Sequence, residues 1–251
     1  MPPKETSHSS SQDWGPRAGQ VRDAEPRTVA GRAAQQLRAD IIQGKLLPGE
    51  RLTFEKLSKA YGAGSSPLRE ALFQVAAEGL VHSEDHKGFM VAPINLGEMH
   101  DVSSLRAYLE MFAVVQSIRL GGDDWETNLL GASHRLKKAE RALGKTSEPP
   151  QQDAINEWEL RHREFHYTLC SACGSPWLLH FFDELYDQLE RYRRHFWCYA
   201  ERAEAADDEH GQILAAALAR DSEKAKNLLE EHFRKQAELT RSTIQNSVLP
   251  G

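Results

Sequence analysis

The chain has 251 residues, enough for one large or two modest domains, and carries 37 acidic against 31 basic side chains for a formal net charge of -6. That balance excludes a surface coated throughout in nucleic acid, so any DNA contact has to be local. No apolar run approaches a membrane span, the first thirty residues hold no apolar signal core, and Cys170, Cys173 and Cys198 lack framework spacing, so a soluble cytoplasmic protein with reduced thiols is expected.

Residues 1–26, rich in Pro, Ser, Gly and charge, have almost nothing to bury and read as a disordered extension. From Thr28 the helical spacing of Val29, Ala33, Leu37 and Ile41 predicts a first helix, stopped by Gly44. Leu46-Leu47-Pro48-Gly49 is a turn, and Phe54, Leu57 and Tyr61 give a short second helix that can pack on the first. Gly62 and Gly64 reverse the chain. Ser65 or Ser66 then caps a third helix, Pro67 suits its first turn, Leu68, Ala71, Leu72, Val75 and Ala76 form its inner face, and Gly79 closes it. Leu80–Ser83 and Gly88–Pro93 read as two strands around the turn at 84–87.

Helix, helix, helix, hairpin is the order of a winged helix-turn-helix. The segment from Arg27 to Ile94 carries nine Lys or Arg against seven Asp or Glu, so it is mildly basic and the acidity lies downstream. Beyond Asn95 nothing reads as a strand. Amphipathic runs at roughly 96–120, 124–144, 151–173, 177–202, 205–219 and 222–246 predict an antiparallel all-helical bundle. The fold class is therefore mainly α, divided into a tail at 1–26, a winged helix-turn-helix at 27–94 and a helical ligand-binding and dimerisation domain at 95–251.

Four histidines fall on inward helix faces. Trp158, His162, Phe165, His166, Leu169 and Ala172 lie at spacings of three and four, so both histidines share one apolar stripe. His210 stands among Ala203, Ala206, Ile213, Leu214 and Ala217, and His232 among Ala225, Leu228, Leu229 and Gln236. Buried imidazoles need partners for their ring nitrogens, and a bound cation would satisfy several together. His162 and His166, four apart, can chelate from one helix face, and a borderline divalent metal such as zinc or nickel suits the donor set. Each histidine by itself is more often a hydrogen-bonded core or surface residue than a ligand. Cys170-Ser-Ala-Cys173 has metal or redox spacing but no second pair, so its thiols read as small packing residues. His134, His180 and His195 share no face with the four.

The stretch LLPGERLTFEKLSKAYGAGSSPLREALFQVAAEGLVHSEDHKGFMV, with its Leu-Pro-Gly-Glu turn, Pro-Leu-Arg-Glu-Ala-Leu helix start and Glu-Gly-Leu-Val exit, resembles the DNA-binding domain of GntR-family bacterial repressors. With the helical remainder, the resemblance covers about residues 27 to 245 and points to the FadR-type branch with an FCD effector domain. It implies that Ser65, Ser66 and Arg69 face the major groove of a palindromic operator, with Arg69 the main base reader, and that His86, Lys87 and Gly88 form a wing tip near the minor groove. Many relatives have Arg where this chain has Ser65, and a basic residue near Glu55, which leaves Lys56, Lys59 or the tail to compensate.

The resemblance also implies a metal motif of Asp-x-x-x-His and two distant histidines. His166, His210 and His232 match its three histidines, and His162 stands at the Asp position. A neutral imidazole there leaves more positive charge on the metal than a carboxylate would, which favours an anionic effector. A carboxylate effector would then be held by cationic groups, with Arg106 first and Tyr192 and Arg193 after it. Glu110, one turn from Arg106, is the ordinary partner that a buried arginine would take instead, and a Tyr-Arg-Arg cluster is ordinarily a solvated helix face. The segments GSSPLREAL, GGDDWE, EWELRHREFH and CGS resemble carbon-starvation-induced regulators of glutarate and γ-aminobutyrate use, which implies glutarate first among small dicarboxylates.

The expectation is a homodimeric, ligand-responsive repressor rather than an enzyme. The alternative is a metal-dependent hydrolytic enzyme using the histidine cluster to activate water. Glu164 is the one close base in sequence, and it faces away from His166 on helical geometry. A purely structural histidine-bound dimer is the third possibility.

Overall fold

The computed structural model describes residues 26–84, 88–143, 151–196 and 199–248. All but the last residue of the tail expected at 1–26, the wing-tip residues His86 and Lys87, and Cys198 lie outside the described residues.

Helix α1 (Val29–Ile42) starts where the Thr28 hydroxyl accepts a hydrogen bond from the Gly31 amide, and it turns Ala33, Leu37 and Ile41 inward. Strand β1 (Arg51–Leu52) follows, then α2 (Phe54–Tyr61), capped by Thr53 and ended by Gly62, whose φ of 63° favours glycine. Helix α3 (Ser65–Ala77) departs from expectation at its start. Its N-cap is Gly64, so Ser65 and Ser66 sit inside the first turn and no side chain caps its amides.

Strands β2 (Val81–Glu84) and β3 (Gly88–Val91) form the hairpin, and β1 joins it in the antiparallel order β1-β3-β2, with Leu52 opposite Phe89. Leu37, Ile41, Leu57, Leu68, Leu72, Val75 and Val91 close one apolar core beneath the three helices.

The remaining described residues make a helical bundle of α4 (Leu96–Leu120), α5 (Asp123–Leu143), α6 (Gln152–Cys170), α7 (Pro176–Phe196), α8 (Tyr199–Leu218) and α9 (Ser222–Val248). No break follows residue 202, where one was expected: α8 runs from Tyr199 to Leu218. The Ala- and Glu-rich stretch after 199 supports helix throughout, and its periodicity does not mark where one helix stops. Helix α4 lies against α7 and α9, while α5 lies against α6 and α8. Trp158, Phe165, Leu129, Leu136, Ile213 and Leu229 fill the space between them.

Helix α7 touches both halves of the molecule. Towards the winged helix, Gln188 Nε2 donates to the Glu78 carbonyl at the end of α3 (2.6 Å), and Arg191 Nη1 donates to the Ala92 carbonyl (2.8 Å). The Tyr192 hydroxyl binds the linker at the Asn95 carbonyl (3.0 Å) and at Glu98 (2.9 Å). Gly79, with φ of 76°, meets α7 closely: a Cβ there would stand 3.2 Å from Gln188 Nε2.

Candidate functional site

Helix α6 supplies His162 and His166, α8 supplies His210 and α9 supplies His232. One ligating nitrogen from each lies within 4.8 Å of the others. All four side chains are buried. The spacing argument thus brings together the residues it singled out, although they come from three helices.

Each ring is held from its outer side. His166 Nδ1 is 2.8 Å from Glu110 Oε2, His210 Nδ1 is 2.7 Å from Glu140 Oε1, and His232 Nδ1 is 2.8 Å from Glu209 Oε2. A carboxylate only accepts, so these rings carry their proton on Nδ1 and turn the lone pair of Nε2 inward. His162 Nδ1 lies 2.7 Å from the Tyr186 hydroxyl, which itself reaches Glu159 Oε2 at 3.3 Å. Among the described residues, Nε2 of His162 and of His210 has no hydrogen-bond partner. Burial pushes His162 well below the ordinary imidazole range, which keeps it a neutral donor. Four convergent neutral imidazoles with oriented outer nitrogens fit a borderline divalent metal.

Arg106 is fully buried beside this centre. Its Nε donates to Glu110 Oε1 at 2.5 Å, so Glu110 holds Arg106 with one oxygen and His166 with the other. The guanidinium carbon lies 4.5 Å from the Tyr186 ring centroid and 5.1 Å from that of Phe233. Among the described residues neither Nη1 nor Nη2 has a hydrogen-bond partner. Aromatic faces offset part of the cost of a buried cation, but they leave those donors free for an anion. Burial pushes the Glu110 carboxyl up from its usual range while Arg106 pulls it down.

The other expected effector residues are engaged differently. Tyr192 and Arg193 are both buried, not on a solvated face. Arg193 makes a two-pronged pair with Glu159, at 3.0 and 2.7 Å. Burial opposes its charge, yet Glu159 more than compensates and holds Arg193 above the ordinary guanidinium range. Tyr192 turns to the linker, where burial and then Glu98 push its phenol up to about 12.

Glu164, the one base considered for hydrolysis, is tied to Arg135 at 2.6 Å and Arg161 at 2.9 Å on the outer side of α6. Cys170 and Cys173 are buried free thiols whose pKa is raised by burial, in keeping with packing roles.

On the winged helix, Ser65, Ser66, Arg69 and Gly88 are exposed. Arg69 lies over the Phe54 ring at 5.6 Å, and its sequence neighbour Glu70 bonds Gln74 instead. Of the two lysines considered as substitutes, Lys56 pairs with Glu50 and Lys59 is exposed. The carboxylates behind the rings and Tyr186 were not foreseen, apart from Glu110. They sit on other helices, and only Glu209, next to His210 in sequence, carried a local signal.

Comparison with known proteins agrees with this layout. Residues 29–91 match the bacterial regulatory proteins of the gntR family, and residues 101–235 match the FCD domain. The HTH-type transcriptional regulator BphR of Paraburkholderia xenovorans is 36% identical over 224 residues, spanning 89% of this chain and 90% of that protein. The HTH-type transcriptional repressor GlaR of Escherichia coli is 37% identical over 201 residues, spanning 78% and 89% respectively. Among solved structures, E. coli McbR/YncC superposes with a TM-score of 0.70 at 20% identity, covering 86% of this chain and 98% of that one. A putative GntR regulator from Rhodococcus sp. RHA1 gives 0.69 at 18% identity, over 85% and 97%. These two speak for the fold alone.

Proposed function

The chain belongs to the gntR family of bacterial regulatory proteins and carries an FCD domain, and on that premise we propose that it is a repressor released by a small carboxylate bound at a divalent metal. It is a DNA-binding transcriptional regulator and not an enzyme, as its relatives are. The finer reading rests on one observation: among the described residues the inward Nε2 atoms of His162 and His210 and both Nη atoms of Arg106 are buried without partners, and Glu110 links Arg106 to His166 of the same histidine cluster. Buried donors and acceptors left unsatisfied are costly, and a cation plus an anion would satisfy both sets.

His162, His166, His210 and His232 would hold the metal, zinc or nickel in view of four neutral nitrogen donors. When bound, the metal supplies positive charge and a coordination position for a carboxylate oxygen. Arg106 receives the other end of the effector, and a dicarboxylate suits that two-ended arrangement, with glutarate the first to test. The arginine and the rings stay fixed because Glu110, Glu140, Glu209 and Tyr186 hold them from behind.

At the other end, Ser65, Ser66 and Arg69 on α3 meet the major groove of a palindromic operator, and His86, Lys87 and Gly88 form the wing. The amides at the start of α3, which have no capping side chain, favour a phosphate there. We divide the chain into a tail at 1–26, a DNA-binding domain at 27–94 and an effector and dimerisation domain at 95–251. The exposed stripe of Leu105, Tyr108 and Phe112 along α4 supports a homodimer with a second copy covering it. Among the described residues no helix is long and apolar enough to cross a membrane, and the protein would act in the cytoplasm.

A thermal-shift titration tests the reading. Zinc or nickel should raise the melting temperature, and glutarate should raise it further only while metal is present; a ligand at a hundred times its Kd adds about 2.7 kcal/mol. Stabilisation by glutarate that survives a chelator would defeat the metal-anchored reading. Glutarate should also release the protein from DNA upstream of its own operon in a gel-shift assay.

A further inference from the structure

Gln236, one turn after His232 on α9, is buried with its side-chain nitrogen 2.6 Å from His232 Nε2. Glu209 accepts the hydrogen bond from His232 Nδ1–H, so His232 Nε2 has only a lone pair to offer. The Gln236 amide must therefore be the donor, because its oxygen turned towards that lone pair would repel it. The inward nitrogens are thus not equivalent. Among the described residues those of His162 and His210 have no partner, and that of His232 is already occupied by an amide of the same helix.

Resting on the metal and carboxylate reading above, we propose that Gln236 is a placeholder: its amide holds the fourth ligand position until a metal displaces it, and then becomes a donor to the effector carboxylate. A four-histidine site needs the same lone pair that Gln236 now uses, so the two are mutually exclusive. Once released, the amide NH2 is a buried donor in need of an acceptor. Gln236 also lines a cavity of about 20 Å³ with Ser103, Tyr192, Arg193 and Thr240. Met99, Ser103 and Ala237 border both this cavity and an open groove of about 610 Å³ between α4 and α9. The amide therefore stands between the histidines and the side from which a small molecule reaches them. Binding is ordered by this arrangement, metal first and carboxylate second, because the donor is free only after the metal has taken its place.

The test is Gln236→Met in the full chain, a change that keeps length and removes the donor. Competition against a chromogenic chelator should show zinc and nickel bound about fivefold more tightly by the variant, since one hydrogen bond no longer competes. Titration of the zinc-loaded proteins with acetate, succinate and glutarate should show the best of these bound about tenfold more weakly by the variant. A merely structural role would weaken both. Metal affinity that is unchanged or lower overturns the placeholder, and carboxylate affinity that is unchanged overturns the donor role. A wild type that takes up neither metal, or when loaded binds none of the three acids, overturns the underlying reading instead, and this inference with it. As a check independent of the variant's folding, the side-chain amide signals of Gln236 in the wild type should shift on adding zinc, and signals that do not move overturn the proposal.

Discussion

Between Val29 and Val91 every buried side chain among the described residues is apolar, whereas the helices from Leu96 onward enclose Arg106, Glu110, Glu140, Glu159, Glu190, Arg193 and four histidines. The first domain is built as an ordinary small core, and its chemistry, Arg69 above all, stands outside in water. The second carries its chemistry in the middle, where each charge costs several kcal/mol to desolvate unless it is paired. Well-packed apolar residues would serve stability at least as well, so the buried charges point to binding. One half presents a finished surface to a large partner, and the other keeps an interior for a small one.

The sharpest way to break this contrast is to remove one member of the interior network. Glu110→Leu leaves Arg106 charged and unpaired in the core and should cost about 3–5 kcal/mol in urea unfolding. Arg106→Met combined with Glu110→Leu should recover most of that loss, or even gain stability, while abolishing the response to carboxylates. A double variant that still responded would show that Arg106 is not the anion's partner.

Leu72→Ala, in the apolar core, should cost about 2–5 kcal/mol by leaving a cavity, and added metal should not alter the difference from wild type if the loss is confined to the DNA-binding half. Arg69→Ala should weaken operator binding by about 1–3 kcal/mol and leave the melting temperature nearly unchanged. Equal loss on operator and random DNA would make Arg69 a phosphate contact instead of a base reader. The smallest effect is expected at the joint. Gln188→Ala removes one hydrogen bond to the end of α3 and should change stability by about 1 kcal/mol, yet reduce the effect of glutarate on DNA affinity. An unchanged effect would place the coupling elsewhere.

The two halves also differed in how far they could be read from the sequence. The winged helix was legible because local signals, Thr28 before α1, Gly62 after α2 and Gly79 after α3, agree with its apolar periodicity. What escaped there was β1, two residues long and too short for any alternation, and the cap at Gly64. In the bundle the four histidines were legible because an imidazole in an apolar stripe is conspicuous. Their outer partners were not, since Glu140 and Tyr186 meet the rings only after four helices have packed. That Tyr192 and Arg193 are covered, where a Tyr-Arg-Arg cluster is ordinarily a wet face, was not legible for a similar reason. A helix sandwiched between two domains has little outward side, and periodicity seen along one helix cannot show that both sides are covered.

The grip of α7 on the winged helix falls largely on main-chain oxygens, those of Glu78 and Ala92, instead of on side chains. Every amino acid offers the same carbonyl, so such a joint does not depend on which residues the reading domain carries. The positions proposed to contact bases, 65, 66 and 69, can therefore change, and the protein be readdressed to another operator, without the joint having to change with them. Gly79 is the exception, because its missing side chain is what lets Gln188 come close. A lineage built on this plan can keep its sensor while its targets diverge.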